Sequence, residues 1–417
     1  MAQLSNDCFA FGGPLMSVDE ARALIAARLQ PVTNVERVPL TEADGRVLAE
    51  TILAPVDLPP FANSAVDGYA VRFADLTPGA PSHLPLQGRV AAGATLAGEA
   101  AAGQAVRIFT GAPMPAGLDT VFMQEDVETS ADGVSLPAGL KRGANMRPAG
   151  EDLARGAVAL EAGRRITPRE IALLAGLGIA EVPVRTRLRV AVFSTGNEII
   201  SPGEPLRPAA LYDANRFMLI AVLKRLGCAV SDLGILPDRR DAVTGALAEA
   251  AESHDLLITS GGVSTGEEDH VKAAVEAAGA LTFWRLGIKP GRPVALGVVG
   301  GTPFIGLPGN PVAVFVTFTQ VARALVARLQ GEAFTPPPAL TVRAGFAYKK
   351  KEGRREYVRV RLLREADGIL TAQKHPREGA GVITSLTETD GLVELPEAMT
   401  RLEPGEPVAF VAYASLL

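Results

Sequence analysis

Apolar positions recur along the chain with two different periods, and the switches between them divide it. Ser17 with Glu20 three residues on has the form of a capping box, and Ala21, Leu24, Ile25 and Leu29 follow at helical spacing. Thr167, Pro168 and Glu170 predict a second helix start, with Ile171, Leu174 and Leu177 behind them and Gly178 as a stop. Between these helices, from about Asp57 to Gly150, the apolar runs are short. Gly or Pro interrupts them every few residues, as at Pro78, Gly79, Pro81, Pro85 and Gly88. That texture predicts a β-rich insertion. The two helical pieces that flank it are then expected to form one discontinuous unit.

From Leu188 the alternation becomes regular. Apolar strands over 188–193, 230–236 and 255–259 alternate with helices over 213–226, 238–251 and 270–278. Further strands are expected over 281–288, 294–299 and 304–307. A last helix starts with Asn310 as N-cap and Pro311 in its first turn, and runs to about Leu329. In the 213–226 helix, Phe217, Ile220, Ala221 and Leu223 are assigned to one side. Alternating strand and helix predicts right-handed crossovers and a mostly parallel sheet. The three consecutive prolines of Thr335–Pro338 read as a linker, and the short alternating segments after it, such as 357–363, predict a small C-terminal β domain. The fold class is therefore mixed α/β and multidomain.

Composition narrows the class of protein. A length of 417 residues suggests two to four domains at ~100–200 residues each. With 47% hydrophobic and 21% charged residues the chain can build real cores, which argues against global disorder. A net charge of −5 and a pI near 5.6 argue against a protein that coats nucleic acid. No apolar run is read as approaching a membrane span, and the residues after Met1 lack the basic start and apolar centre of a signal peptide. The expectation is a soluble, cytoplasmic protein. Cys8 and Cys228 are the only cysteines, which excludes a disulfide framework and a cysteine-built zinc site. His83, His254, His270 and His375 are too scattered to suggest a multi-histidine metal site.

In an open parallel sheet, ligands bind outside the carboxyl ends of the strands. Those ends carry Ser194-Thr195-Gly196-Asn197-Glu198, then Pro237-Asp238, then a loop from Ser260 through Gly261, Gly262 and Ser264 to Asp269. Lys289-Pro290-Gly291-Arg292-Pro293 and Gly306-Leu307-Pro308-Gly309-Asn310-Pro311 follow. Several of these loops are expected to meet on one rim. The 260–266 loop lets backbone amides approach a ligand ahead of a helix, which suits a phosphate, although an ordinary strand-to-helix turn has the same composition. It is not a Walker A loop, since no Gly-Lys-Ser/Thr follows. Glu198, Asp238 and Asp269 would each alone be a helix cap or a solvated side chain. Together on one rim they would repel unless a cation lay between them, and hard oxygen donors beside a phosphate point to Mg²⁺. Lys289 and Arg292 flank a stiff Pro-Gly turn closed by Pro293, a better oxyanion receptor than a solvated pair. Asp67-Gly68 reads as a turn. Turn chemistry also covers most of the segment from Thr110 to Pro115, and Asn145 to Asp152 stays open.

Taken together, these strings resemble the MoeA family, the molybdopterin molybdenumtransferases that include the E domain of gephyrin. The matching strings are NSAVDGYAV (63–71), TGAPMP (110–115), NMRPAGED (145–152), STGNE (194–198), TSGGVSTGEED (259–269), KPGRP (289–293) and GLPGNP (306–311). A weaker match covers Arg354 to Arg359 and GAGVITSL (379–386). The resemblance implies an elongated discontinuous helical domain (15–56 with 153–187) and an inserted β domain (57–152). It also implies a doubly wound α/β domain similar to the molybdopterin-binding fold (188–333) and a C-terminal β domain (339–417). It implies a cytoplasmic homodimer whose clefts each lie between the α/β domain of one subunit and the inserted domain of the other. The implied reaction converts adenylylated molybdopterin and molybdate to molybdenum cofactor and AMP, with Mg²⁺.

By motif, Asp67, Thr110, Glu198, Asp238 and Asp269 are the implied catalytic residues, the last three also holding metal. Thr195, Gly196, Asn197, Gly261, Gly262, Ser264, Lys289, Arg292, Pro293, Pro308 and Asn310 are the implied substrate contacts. Many relatives have Met where Val66 stands and Lys where Arg292 stands. The adenylyltransferase and the recipient molybdoenzymes are the implied protein partners, and neither nucleic acid nor membrane is expected. Two other readings compete: an ATP-dependent molybdopterin adenylyltransferase, and a non-enzymatic scaffold that binds the pterin.

Overall fold

The structure is a computed structural model that describes residues 15–237, 239–261, 270–291 and 294–416. Its centre is a six-stranded sheet in the order Ala229–Leu236, Arg189–Thr195, Leu256–Ser260, Thr302–Leu307, Val294–Val299, Gly279–Trp284. Along Arg189–Thr195 the side chains alternate between two cores. Val190 and Val192 pack with the helix Asn215–Arg225 and with Pro311–Gln330. Ala191 and Phe193 pack with the helices Arg240–Ser253 and His270–Ala278. Both faces are covered, so the strand reads as a continuous apolar run and the unit is doubly wound.

The expectation of a mostly parallel sheet holds: five of the six strands run the same way, and Val294–Val299 runs against its two neighbours. The cause is Gly300-Gly301, a two-residue loop at φ 56° and 88° that turns Val294–Val299 straight back along Thr302–Leu307. Two left-handed residues in succession form the tight hairpin turn that glycine favours. The span expected as strand over 281–288 is two pieces, Gly279–Trp284 and Ile288–Lys289, and the second leaves this sheet.

Two helix expectations also need correction. In Asn215–Arg225 the buried residues are Arg216, Leu219, Val222 and Leu223, while Phe217 is exposed. The helix is rotated because Arg216 is drawn inward by Asp213, 2.8 Å from its Nε, and by both oxygens of Asp232. Asn310 does sit at the N-cap of the last helix with Pro311 next, but its side chain makes no capping bond. The Val312 amide donates to the Ala380 carbonyl instead, at 3.0 Å. Pro311–Gln330, with a π-helical turn over Phe318–Ala322, is 20 residues long and is apolar enough to cross a membrane, contrary to the sequence expectation. Its most apolar window is 89% buried, so it is apolar all round because protein surrounds it.

Around this unit lie the smaller ones. Val35–Pro39 pairs with Glu181–Arg185, and Ile52–Leu53 with Val158–Leu160, so the two ends of the discontinuous region close on each other. The opening helix Val18–Arg28, with its capping box between Ser17 and Glu20, buries Val18, Ala21 and Ile25 in the core of the α/β unit. The inserted region stacks a four-stranded sheet, 86–90, 105–108, 68–71 and 120–123 in order, beside a three-stranded one. In the C-terminal region, Arg355–Arg364 pairs with both Leu370–Lys374 and Gly391–Leu395, which closes that sheet on itself around Val342, Val360, Val393 and Phe410.

The second capping box is the better anchored. Glu170 is buried, and its Oε2 accepts the Thr167 amide at 3.0 Å and the Thr167 hydroxyl, while Oε1 accepts Arg164 Nη2 at 2.7 Å. Burial alone would raise its pKa, but the Thr167 hydroxyl, Arg164 and the Thr167 amide bring it down to about 2. A carboxylate depressed from 4.5 contributes stability that is present above pH 4.5 and lost as pH falls toward 2. Glu170→Gln is expected to cost about 1–3 kcal/mol at neutral pH and much less at pH 2. Thermal unfolding of both proteins at the two pH values checks this.

Candidate active site

The parallel register sets the rim. Thr195 pairs with Leu236, Ser194 with Ser260, and Ser260 with Leu307. Four strands therefore end at one level, and the loops after Thr195, Leu236, Ser260 and Leu307 emerge side by side. Pro237 stands next to this level. Asp238, Gly262, Ser264, Asp269, Arg292 and Pro293 lie outside the described residues.

At the first loop, Gly196 has φ 131°, and a Cβ there would stand 2.6 Å from Glu198 Oε2. The glycine thus lets the Glu198 carboxylate fold back over the strand end. Glu198 and Asn197 are exposed and Thr195 is buried. The Ser194 hydroxyl, one residue earlier on the strand, is buried and has no hydrogen-bond partner among the described residues. The next loops are tied together: the Gly261 amide donates to the Leu307 carbonyl at 3.0 Å, and Asn215 Nδ2 donates to the Gly309 carbonyl at 2.7 Å.

Beside this rim opens a cavity of about 330 Å³. It brings together Lys289, Pro308 and Asn310 of the expected substrate contacts, with Pro290 and Gly291 between. Its other wall was not foreseen as part of the site. Arg354, Arg359, Lys374 and Arg377 come from the C-terminal sheet and the turn after it. Among the described lining residues these four and Lys289 face a single carboxylate, Glu378. Arg359 is buried, with Nε on Ser385 Oγ at 3.0 Å and Nη2 on the carbonyls of Arg377 and Gly379 at 3.2 and 3.3 Å. Burial lowers its pKa, and among the described residues it has no ion-pair partner. The strand Arg355–Arg364 carries five charged residues besides Arg359's apolar neighbours Val358 and Val360, and nothing in its pattern sets the buried Arg359 apart from the exposed Arg361.

Lys289 reaches the cavity through backbone pairing. Ile288–Lys289 forms a short parallel edge strand against Arg355 and Glu356. Its Nζ donates to Glu356 Oε2 at 2.9 Å and to Tyr348 Oη at 3.2 Å. Burial lowers the lysine pKa, but the bonds to Glu356 and Tyr348 outweigh it, so the group is held above its ordinary value. Gly291 follows at φ 117°.

Asp67 and Thr110 belong to the inserted region. The Thr110 amide and hydroxyl donate to Asp67 Oδ1 at 2.8 and 2.7 Å. These bonds, amide first, lower the Asp67 pKa against a slight opposing desolvation, and Arg107 adds the smallest contribution in the same direction. Gly68 is not a turn residue: it opens the strand Gly68–Val71, and a Cβ on it would stand 1.9 Å from the Phe122 carbonyl oxygen. It is glycine because two strands meet there, not because the chain reverses. No hydrogen bond, ion pair or cavity among the described residues joins Asp67 or Thr110 to the rim. Likewise, no cluster of three metal-ligating side chains occurs among the described residues.

Comparison with known proteins covers the same extent. The profile of the MoeA N-terminal region (domain I and II) matches residues 16–178. That of a "probable molybdopterin binding domain" matches 191–328, and that of the MoeA C-terminal region (domain IV) matches 341–413. A molybdopterin molybdenumtransferase of Haemophilus influenzae is 39% identical over 405 residues, covering 97% of this chain and 100% of that protein. Molybdopterin molybdenumtransferase 2 of Mycobacterium tuberculosis is 34% identical, covering 94% and 98%. The crystal structure of the MoeA protein of Pyrococcus horikoshii OT3 matches with a TM-score of 0.81 at 29% identity, covering 96% of this chain and 100% of that one. The chain belongs to the MoeA family.

The Lys289 turn depends on Gly291. A Cβ there would stand 2.2 Å from Thr317 Oγ1, on a short, fully buried side chain that cannot swing clear. Gly291→Ala adds this clash to a left-handed backbone, which together cost about 2–4 kcal/mol. The variant is expected to melt earlier and to bind oxyanions weakly, measured by thermal shift and by titration with tungstate.

Proposed function

We propose that this chain is a molybdopterin molybdenumtransferase of molybdenum cofactor biosynthesis, inserting molybdenum from molybdate into adenylylated molybdopterin with release of AMP. The observation that carries it is the cationic cavity beside the four-loop rim, in a chain of the MoeA family. Molybdate is a small dianion, and binding it needs a preorganised set of charged donors. Lys289 and the buried Arg359 offer such donors on a stiff backbone, with Arg292 expected beside them. The volume is at the small end for ligand sites, which suits an oxyanion and the reacting end of a pterin. The dithiolene of the pterin supplies soft sulfur ligands for molybdenum, so a cysteine-poor protein suffices.

The rim fits a hard divalent cation at Glu198: its carboxylate is exposed, folds back toward Gly196 at the strand end and has no ion-pair partner among the described residues. Glu198, with Asp238 and Asp269, would hold Mg²⁺. When bound, the ion neutralises phosphate charge as AMP departs. Thr195, Gly196 and Asn197 would position the phosphate against that rim, with Gly261, Gly262 and Ser264 beside them. The four-domain division, the homodimer and the cytoplasmic location belong to the same reading.

Molybdate-dependent release of AMP from adenylylated molybdopterin tests it. Release that ignores molybdate, or net adenylylation of molybdopterin by ATP, would favour the adenylyltransferase. Asp269→Asn is expected to lose about 2–4 kcal/mol of barrier lowering, roughly 30- to 1,000-fold in turnover, with binding of molybdate retained. Near-wild-type turnover at limiting Mg²⁺ would remove Asp269 from the metal set.

Among the described residues no contact within one chain joins Asp67 to the rim, as a cleft shared by two subunits requires. Asp67→Ala and Asp269→Asn homodimers should both be nearly inactive. A mixed heterodimer then has one cleft with neither lesion and one with both, and should recover up to about half of the wild-type rate if the sites are independent. Verified heterodimers that stay inactive would defeat the shared cleft.

A further inference from the structure

We propose that Glu356 and Tyr348, both supplied by the C-terminal sheet region, are positioning residues that fix the Lys289 ammonium in place for an incoming oxyanion. The inference rests on the oxyanion reading of the cavity.

Glu356 is 1% exposed, and its two oxygens are treated differently. Oε2 accepts Lys289 Nζ and the Tyr348 hydroxyl, both at 2.9 Å. Oε1 is buried and receives no hydrogen bond from any described group, with the Arg354 guanidinium 4.0 Å away. A buried carboxylate with one oxygen unsatisfied costs stability. A leucine or a glutamine on this strand would serve packing better. What the carboxylate does deliver is direction. Lys289 is a flexible side chain with half its surface in the solvent. Glu356 and Tyr348 hold two of its three N–H donors, which leaves the third to a ligand in the cavity.

Tyr348 is the second half of the clamp. Its hydroxyl donates to Glu356 and accepts from Lys289 at 3.2 Å. Its ring carries Lys289 Nζ at 5.6 Å and Lys374 Nζ at 5.5 Å from the centroid. Lys289 Nζ sits off the hydroxyl end of the ring, while Lys374 is held by the ring itself, so Tyr348 spaces two cavity cations as well as orienting one. Lys374 is also held by Glu378, at 2.5 Å. Among the described residues the titratable and charged groups facing Lys289 and its cavity are thus Glu356, Tyr348, Arg354, Arg359, Lys374, His375, Arg377 and Glu378.

Electrostatics and positioning predict opposite outcomes, which makes the idea testable. Were Glu356 only a counter-charge, its removal would make the cavity more positive and tighten molybdate. The full-length protein is titrated calorimetrically with sodium molybdate at pH 8, with Lys289→Ala as control. Tyr348→Phe changes no charge and is expected to weaken molybdate about three- to tenfold, the worth of one neutral hydrogen bond. Glu356→Gln is expected to weaken it about tenfold or more, because the lysine loses a charged partner.

A second readout needs no molybdate. Without Glu356, burial outweighs the remaining bond, so Lys289 should lose its proton at lower pH than in the parent. The pH dependence of Lys289 acetylation, followed by peptide mass spectrometry, reports that midpoint.

Tighter or unchanged molybdate binding in both Tyr348→Phe and Glu356→Gln, with an unmoved acetylation midpoint, overturns the positioning role. Should Glu356→Gln fail to fold, Tyr348→Phe decides alone. A Lys289→Ala protein that binds molybdate normally while the acetylation midpoint still shifts in Glu356→Gln would refute the oxyanion reading and leave the clamp standing.

Discussion

Five residues, 285–289, tie the chain before the opening helix and the C-terminal sheet to the α/β unit. On one side of this segment the Met16 amide donates to the Arg285 carbonyl at 2.9 Å, and the Gly287 amide donates to the Met16 carbonyl at 2.7 Å. On the other side the Arg355 amide donates to the Gly287 carbonyl at 2.7 Å. The segment has left the central sheet, so its peptide groups need partners elsewhere. They find them in the chain before the opening helix and in the C-terminal sheet. Register then does the rest: pairing Lys289 with Glu356 puts the cationic turn beside a wall of arginines and lysines.

The charges this arrangement collects are expensive. Among the described residues Arg359 is buried without an ion pair and bonded to one hydroxyl and two carbonyls, and Glu356 is buried with one oxygen unmet. Where a fold needs only stability, buried ion pairs are often replaceable by apolar residues. Here several buried or half-buried charges converge on one cavity. Cys228 is a contrast. It too is buried, and burial pushes its thiol up to about 12, so it stays a neutral packing residue outside the cavity.

Close approach explains several glycines that composition alone suggests are turns. Gly68 and Gly291 are glycine because Phe122 and Thr317 stand where a Cβ would go, and Gly196 because its backbone turns at φ 131°. Each of these lies in or beside a motif of the site. The same backbone that admits a neighbouring strand or helix at such short range holds the adjacent Asp67, Lys289 and Glu198 at fixed points. Strength of position in this protein comes from backbone proximity more than from side-chain packing.

The sequence by itself determined the elements of the α/β unit and both capping boxes, because apolar period and cap chemistry are local properties. It also marked the loops of the rim, since small residues, proline and charge clustered after predicted strands. The Gly300-Gly301 hairpin was legible in principle, yet the strand–helix rhythm before it suggested a parallel continuation. Only the tertiary structure decided which face of Asn215–Arg225 turns inward, because Asp232 on a neighbouring strand pulls Arg216 with it. Only it revealed the second wall of the cavity. Glu356 and Arg359 lie more than sixty residues from Lys289 in sequence, and no local period links them. They meet because a two-residue strand pairs across that distance, and hydrogen bonding between backbones leaves no trace in side-chain pattern.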